Sequence, residues 1–156
     1  MTAKRILGLI AVAFIAGVSA LPAQVDDENP GFMAAKGRVT FRRYCASCHG
    51  EKAEGNGPVA KMLKIPPSDL RVLKHESDGE FPADRITAWV DGREEVAAHG
   101  RRDMPVWGEV FQTSLIANPA APDEDGEARA ARKVRELVLF LETIQITPED
   151  NGEDED

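Results

Sequence analysis

The feature that most constrains this chain is the placement of its two cysteines, which are separated by two residues and followed at once by a histidine. The segment runs Cys45-Ala46-Ser47-Cys48-His49, and no other cysteine occurs in the 156 residues. Two thiols at this spacing can add across the two vinyl groups of one porphyrin, and the adjacent imidazole then reaches the iron from the same side. The motif therefore predicts one covalently attached haem c held by Cys45 and Cys48, with His49 as an axial iron ligand.

Three other roles for a cysteine pair are less consistent with this sequence. A closed zinc site needs four ligands, whereas His75 and His99 stand far from the motif and from each other. A dithiol redox motif usually lies within an alternating pattern of strands and helices, and the sequence has no such alternation. A disulfide is common in exported proteins, but it gives no reason for His49. Haem attachment is therefore the interpretation that we favour.

The N-terminus has the pattern of a secretory signal. Lys4 and Arg5 precede an uncharged apolar run over residues 6–18, and small residues then suit cleavage after Ala20. The run is shorter than the roughly 20 residues that span a bilayer, so cleavage is favoured over a retained membrane anchor. The sequence predicts a signal peptide over 1–20, export to the periplasm, and no stable membrane span after cleavage.

The charge of the chain excludes one class of partner. Lysine and arginine number 19 against 27 acidic residues, which gives a formal net charge of −8. Nucleic-acid binding needs a basic surface, so we expect no nucleic-acid partner. An acidic molecule is instead steered toward basic surfaces on other proteins. Acids crowd residues 149–156, and such a stretch is expected to be solvated and disordered.

Hydrophobic periodicity predicts an all-α fold. The strongest helix covers residues 127–146, where apolar residues recur at helical spacing and Pro148 follows. The sequence contains no internal repeat and no alternating strand segment. The predicted elements are helices over 32–44, 82–90 and 127–146, short elements over 59–63 and 69–73, loops over 50–67 and 98–108, and an exposed connection over 112–125.

The order of these features resembles class I cytochrome c. A helix leads into Cys-Ala-Ser-Cys-His-Gly, a loop rich in glycine and proline follows, and Met-Pro-Val-Trp-Gly precedes the last helix. The resemblance implies a cytochrome c fold, with three to five helices wrapped around one haem. It also implies that Gly37 and Phe41 on the first helix contact Leu137 and Phe140 on the last. The predicted domains are a signal peptide over 1–20, a polar leader over 21–30, a cytochrome c domain over 31–147 and an acidic disordered tail over 148–156.

The resemblance implies that Met104 is the iron ligand opposite His49. Met104 lies in a loop after the middle helix, where the class I family places its methionine. Pro105 favours an extended backbone at Met104, which suits a side chain that projects from a loop. A soft thioether opposite histidine stabilises reduced iron and raises the reduction potential.

Other residues compete for the iron or support it. His75, His99 or an open sixth position are the alternatives to methionine. Met33 and Met62, which flank the motif, are expected to fill the core. The resemblance further implies that a proline carbonyl after the motif accepts the second ring N–H of His49, as metal-bound histidines require. Pro58 and Pro67 both fit that role.

These inferences converge on an exported monohaem c-type cytochrome that carries single electrons. The expected partners are redox proteins: a dehydrogenase, another cytochrome or a terminal oxidase. No enzyme activity is expected, although the chain could be the electron-transfer subunit of an oxidoreductase. The alternatives are a haem c enzyme, or a gas or peroxide sensor with an open or histidine-ligated sixth position. A further alternative is a haem-free binding module with a Cys45–Cys48 disulfide.

Overall fold

The computed structural model describes residues 28–93, 104–114 and 123–147, and these residues form helices and loops without any strand. The predicted all-α class is therefore confirmed, and the described residues alone contain five helices, the upper end of the expected three to five. The helices are α1 (Pro30–Tyr44), α2 (Ala46–His49), α3 (Ala83–Asp91), α4 (Trp107–Gln112) and α5 (Gly126–Thr143), with 3-10 turns at Ala60–Met62 and His75–Ser77.

Several predictions fall on residues outside this description. They are the signal segment 1–20, most of the leader 21–30, the tail 148–156 and the rival ligand His99. Within the described part, no helix is long and apolar enough to cross a membrane.

Helix α1 begins at Pro30, two residues before the predicted start. The side chain of Asn29 accepts a hydrogen bond from the backbone N–H of Phe32 at 3.2 Å. This N–H lies in the first turn of the helix, where backbone donors have no acceptor within the helix. Proline at the first helical position needs no hydrogen-bond partner and has a helical φ. The helix buries one face, made of Met33, Ala34, Gly37, Thr40 and Phe41.

Helices α1 and α5 cross at Gly37. A Cβ atom on Gly37 would overlap the carbonyl oxygen of Glu136 and would lie 2.9 Å from the Cβ of Phe140, so only glycine permits this approach. Beside the crossing, the rings of Phe41 and Phe140 pack with their centroids 5.3 Å apart. Leu137 is 1% exposed in the same core. The helix contact predicted from Gly37, Phe41, Leu137 and Phe140 is present.

Helix α5 ends at Thr143, three residues earlier than predicted. Its first turn is capped by Asp125, whose carboxylate accepts from the N–H of Ala128 at 2.8 Å. At the other end the chain leaves the helix because the next residues bond to another segment. The N–H of Ile146 donates to the carbonyl of Arg71 at 2.9 Å. The apolar periodicity of the sequence continues beyond Thr143. It therefore does not show that the backbone after this residue forms hydrogen bonds with another segment.

The short helix α4 was not predicted, because residues 107 and 108 were assigned to a loop, residue 112 to an exposed connection, and residues 109–111 to no element. Its residue Phe111 has no exposed surface, and its ring stacks on Trp107 with centroids 5.8 Å apart. A helix of six residues depends on tertiary packing rather than on its own propensity. The predicted element over 69–73 is also wrong, since turns occupy that segment and the 3-10 turn lies at His75–Ser77.

Helix α3 agrees closely with its prediction. It runs from Ala83 to Asp91 and ends at Gly92, which has a φ of 70° in the left-handed region that favours glycine. Ile86 is 3% exposed and faces the core, with Trp89 and Val90 partly buried against it. The core thus lies between α1, α3, α4 and α5, and α2 sits at the end of α1.

Candidate haem site

The segment Cys45–His49 folds as a helical turn. The N–H of Cys45 donates to the carbonyl of Phe41 at 2.8 Å, and the N–H of His49 donates to the carbonyl of Cys45 at 2.9 Å. Residues three and four apart in a helix lie on one face. The two thiols and the imidazole therefore share a face, and both cysteines are half-buried and free.

The imidazole of His49 is oriented by a backbone carbonyl. Its Nδ1–H donates to the carbonyl oxygen of Ser68 at 3.0 Å, which leaves Nε2 as the nitrogen able to bind a metal. Burial lowers the pKa of His49, against a smaller opposite effect of the Ser68 carbonyl. The neutral imidazole is the form that ligates a metal.

The acceptor for His49 is a correction to the sequence prediction, which named Pro58 or Pro67. The carbonyl of Pro67 lies against the backbone of Gly55, where a Cβ atom would overlap it. That carbonyl is therefore directed to another part of the loop, and the next residue, Ser68, provides the acceptor.

An arginine fixes the loop that carries Ser68. The guanidinium of Arg71 donates to Asp69 at 2.8 and 3.1 Å and to Glu54 at 3.0 Å. These bonds join the loop after His49 to the loop around Ser68. The hydrogen bonds from Arg71 lower the pKa of Asp69, so this carboxylate stays ionised over a wider pH range.

Gln145 is a supporting residue that the sequence analysis missed. Its amide nitrogen donates to the carbonyl of Leu70 at 2.8 Å, and its side-chain oxygen accepts from the N–H of Lys74 at 2.9 Å. It thereby ties the segment after α5 to the loop two residues beyond Ser68. No pattern in the sequence marks one polar residue after a helix as a partner of backbone groups some 70 residues away.

The surroundings of the Cys45 thiol affect its chemistry. Burial, together with the neighbouring Cys48, raises the pKa of the Cys45 thiol to about 12. The thiolate is the nucleophilic form, so the folded environment keeps Cys45 protonated and weakly reactive.

The segment that contains Met104 meets the helical turn through aromatic packing. Met104 is half-buried and lies three residues before α4. The first residue of α4, Trp107, packs edge-on against Tyr44 with ring centroids 5.6 Å apart. Because Tyr44 directly precedes Cys45, the fold brings the two predicted ligand segments to the same region.

An ion-pair cluster holds the beginning of α4. Arg93 donates from Nε to Asp91 at 2.6 Å and from Nη2 to Glu127 at 2.8 Å, which links the end of α3 to the start of α5. The hydrogen bonds that Arg93 donates to the carboxylates of Asp91 and Glu127 raise the pKa of this guanidinium. A Cβ atom on Gly108 would overlap Asp91 and meet Nε of Arg93 at 2.5 Å, so α4 sits directly on the cluster.

The remaining candidates differ in their surroundings. Met33 is 5% exposed and fills the core as predicted, whereas Met62 is 76% exposed and that prediction is wrong. The reason is local, because Met62 ends a 3-10 turn whose residues are not buried. His75 is exposed. The described residues include no group of three or more His, Cys, Asp or Glu side chains placed to hold a metal, which gives the zinc alternative no support there.

The residues present fit a haem. Two free thiols and an imidazole with one nitrogen available share a face, and partly buried Tyr44 and Trp107 pack beside them. An all-α fold with this site defines a c-type cytochrome.

The comparison with protein families agrees. A family model described as "Cytochrome C oxidase, cbb3-type, subunit III" matches residues 32–118, more than half of the chain. The chain belongs to this family of class I c-type cytochromes and is a haem-binding electron-transfer cytochrome. Neither the curated proteins nor the solved structures compared with the chain include a match.

Proposed function

We propose that the chain carries single electrons on one haem c, bound through thioethers to Cys45 and Cys48 and ligated by His49 and Met104. The observation that carries this proposal is the hydrogen bond from His49 Nδ1 to the Ser68 carbonyl at 3.0 Å, made within a turn that presents both thiols on the same face. A bound haem supplies reversible one-electron chemistry at its iron.

The protein's own residues limit rearrangement during electron transfer. The Ser68 carbonyl fixes the ring orientation of His49 and raises its basicity as a ligand. Arg71 and Gln145 in turn hold the loop that carries Ser68. These contacts would hold the His49 imidazole in one orientation in both oxidation states of the iron, which is what an electron carrier requires.

Met104 as the second axial ligand rests on two features of its segment. Pro105 favours an extended backbone at Met104, and the contact of Trp107 with Tyr44 holds the segment beside the cysteine turn. A thioether ligand predicts a higher reduction potential than a second imidazole would give.

The test uses the mature chain expressed with the haem-attachment machinery. Intact mass and a pyridine haemochrome assay are expected to show one haem per chain, lost when both cysteines are replaced by serine. A colourless wild-type product would overturn the proposal.

Met104→Ala tests the sixth ligand. The variant is expected to lose the weak red absorption band of methionine–iron bonding, because no thioether remains opposite His49, and its reduction potential should fall. Met62→Ala is the matched control, since Met62 is 76% exposed and its removal should leave both properties unchanged. A high-spin spectrum of the oxidised wild-type protein would contradict methionine ligation and favour an open haem.

The setting that we propose is the periplasm, with a redox protein or an oxidase complex as partner. The apolar run after Lys4 and Arg5 supports export, and the family description supports a link to a terminal oxidase. Osmotic-shock fractionation should release the protein, and its intact mass should match a chain that begins at Leu21. A mass that includes residues 1–20 would contradict cleavage.

A further inference from the structure

Arg93 stands where the chain leaves α3 toward Met104, and its guanidinium bridges two carboxylates. Nε and Nη2 donate to the carboxylate of Asp91 at 2.6 and 2.8 Å, and Nη2 also donates to Glu127 at 2.8 Å. Asp91 is the last residue of α3, and Glu127 lies in the first turn of α5. These three residues, which we call the Arg93 clamp, therefore join the two helices.

Helix α4, which follows Met104 in the sequence, rests on the Arg93 clamp at both of its ends. At the start of the helix, a Cβ atom on Gly108 would lie 2.5 Å from Nε of Arg93. At the end of the helix, the side chain of Gln112 donates a hydrogen bond to Glu127 at 3.2 Å. The chain therefore leaves the clamp at Arg93, passes Met104 and returns to the clamp through α4.

This return of the chain restricts the position of Met104. A stretch whose two ends are held together has fewer conformations than one with a free end. A ligand on such a stretch has a higher effective concentration at its metal, because its segment cannot move far away. The contact of Trp107 with Tyr44 holds one side of α4 beside the cysteine turn, and the Arg93 clamp holds another side.

We propose that Arg93 is a positioning residue for the sixth ligand of the iron. The inference rests on the proposed function, in which Met104 ligates the iron opposite His49. By joining Asp91 to Glu127 against α4, Arg93 keeps the thioether close to the iron. The thioether then rebinds after each dissociation, before another ligand can take the position.

A direct contact of Arg93 with a haem carboxylate is the less favoured role for this residue. Nε and both Nη nitrogens of Arg93 already donate to carboxylates of the chain itself. A contact with the cofactor would take this shared cation away from Asp91 and Glu127, and the lost charge-assisted hydrogen bonds are stronger than neutral ones.

The experiment measures how readily imidazole replaces Met104 in the oxidised holoprotein. Loss of the weak red band of methionine–iron bonding during the titration gives the dissociation constant of imidazole. We expect Arg93→Gln to bind imidazole roughly fivefold more tightly than wild type, because the form without the methionine bond becomes more populated. Arg93→Lys keeps the charge but lacks the planar fork that bridges two carboxylates, so its increase should be smaller.

Arg132→Gln is the matched control. Arg132 also bridges two carboxylates, with Glu124 at 2.7 Å and Glu136 at 2.9 Å, and its side chain is 23% exposed against 25% for Arg93. This cluster joins α5 to the residues just before it. The control should lose a similar free energy of unfolding and keep the wild-type affinity for imidazole. Equal tightening in the Arg93 and Arg132 variants would indicate a general loss of stability and overturn the inference.

Glu127→Ala separates the Arg93 clamp from a direct contact between Arg93 and the haem. The clamp predicts that this variant also binds imidazole more tightly, by roughly threefold. Wild-type affinity in Glu127→Ala, beside tighter binding in Arg93→Gln, would overturn the clamp. If Arg93→Gln does not fold, Arg93→Lys and Glu127→Ala test the same contacts.

Two outcomes distinguish the failure of this inference from the failure of the proposed function. Unchanged imidazole affinity in the Arg93 variants, with the methionine band present in wild type, would overturn the positioning role alone. Absence of that band from wild type would overturn Met104 ligation, and the positioning role with it.

Discussion

At the scale of single residues, Gly37 has the sharpest steric requirement in the fold. A Cβ atom there would overlap the Glu136 carbonyl, which belongs to the backbone of α5 and cannot rotate away. Gly37→Ala gains up to about 1 kcal/mol of helix propensity. The overlap forces α1 away from α5 and opens the packed core around Phe41. This loss of packing costs more free energy than the gain in helix propensity returns.

We therefore expect Gly37→Ala to lower the free energy of unfolding by about 2 kcal/mol. Urea denaturation followed by circular dichroism measures the change. Val39→Ala on the same helix is the control and should shift it by less than about 0.5 kcal/mol, since Val39 lies on the solvent side. A Gly37→Ala protein as stable as wild type would mean that the two helices do not approach so closely.

Residue by residue, the sequence makes its most definite prediction for the site where chemistry fixes the spacing. Cys45, Cys48 and His49 are predicted together because one porphyrin would constrain all three at once. The acceptor Ser68 was not predictable, since any backbone carbonyl can serve and only the path of the loop selects one. Met62 was misassigned because hydrophobicity predicts burial on average, and a 3-10 turn on the surface overrides it.

At the scale of elements, the long helices were predictable and their ends were less so. Asn29 and Asp125 are both good N-cap residues, and each caps a helix. Helix α4 was missed because Pro105 and a glycine indicate a loop, and what makes residues 107–112 helical is the burial of Phe111 against α5. That contact joins segments far apart in sequence and leaves no local signal.

The link between the end of α5 and the loop over 70–74 gives a prediction about Gln145. Gln145→Leu leaves the Leu70 carbonyl and the Lys74 N–H without their partner, and we expect the free energy of unfolding to fall by about 2 kcal/mol. Hydrogen exchange gives a local measurement, because the Lys74 amide should exchange faster than in wild type. Glu142→Gln, exposed on α5, is the control. Unchanged exchange at Lys74 would contradict the link.

At the scale of the whole molecule, net charge and local charge differ in sign. The net charge of the chain is −8, whereas Lys61 and Lys64 are exposed in the loop that follows the cysteine turn. Composition sums charges without their positions, and the nearby acids are already paired with Arg71. Only the folded arrangement shows which charges are available beside the site.

Acid sensitivity is a second property of the whole molecule. Glu124, whose side chain is 10% exposed, accepts hydrogen bonds from Arg132 at 2.7 and 2.9 Å, and these bonds lower its pKa below the ordinary value of 4.5. As pH falls below that value, the unfolded chain takes up a proton that the folded chain resists. The stabilisation is therefore fully present above about pH 4.5 and is lost as pH falls through the folded pKa.

We expect the free energy of unfolding of Glu124→Gln to depend less on pH below 4.5 than that of the wild type. Denaturation curves at a series of pH values measure it, and Glu142→Gln supplies an exposed glutamate on α5 as control. If the free energy of unfolding has the same pH dependence in wild type and Glu124→Gln, the ion pair of Glu124 does not contribute to the acid sensitivity.

The bond from Gln145 to the loop after Ser68 sets an order on the maturation of the chain. Synthesis proceeds from the N-terminus, so the cysteine turn leaves the ribosome roughly 100 residues before Gln145 does. Until then the loop that orients His49 lacks its last tether, and Cys45 is not yet held in the environment that raises its thiol pKa to about 12. If the proposed haem is attached at this stage, the attachment enzyme would meet a Cys45 thiol that is not yet buried, and the loop that orients His49 would gain its last tether only after the final described helix is complete.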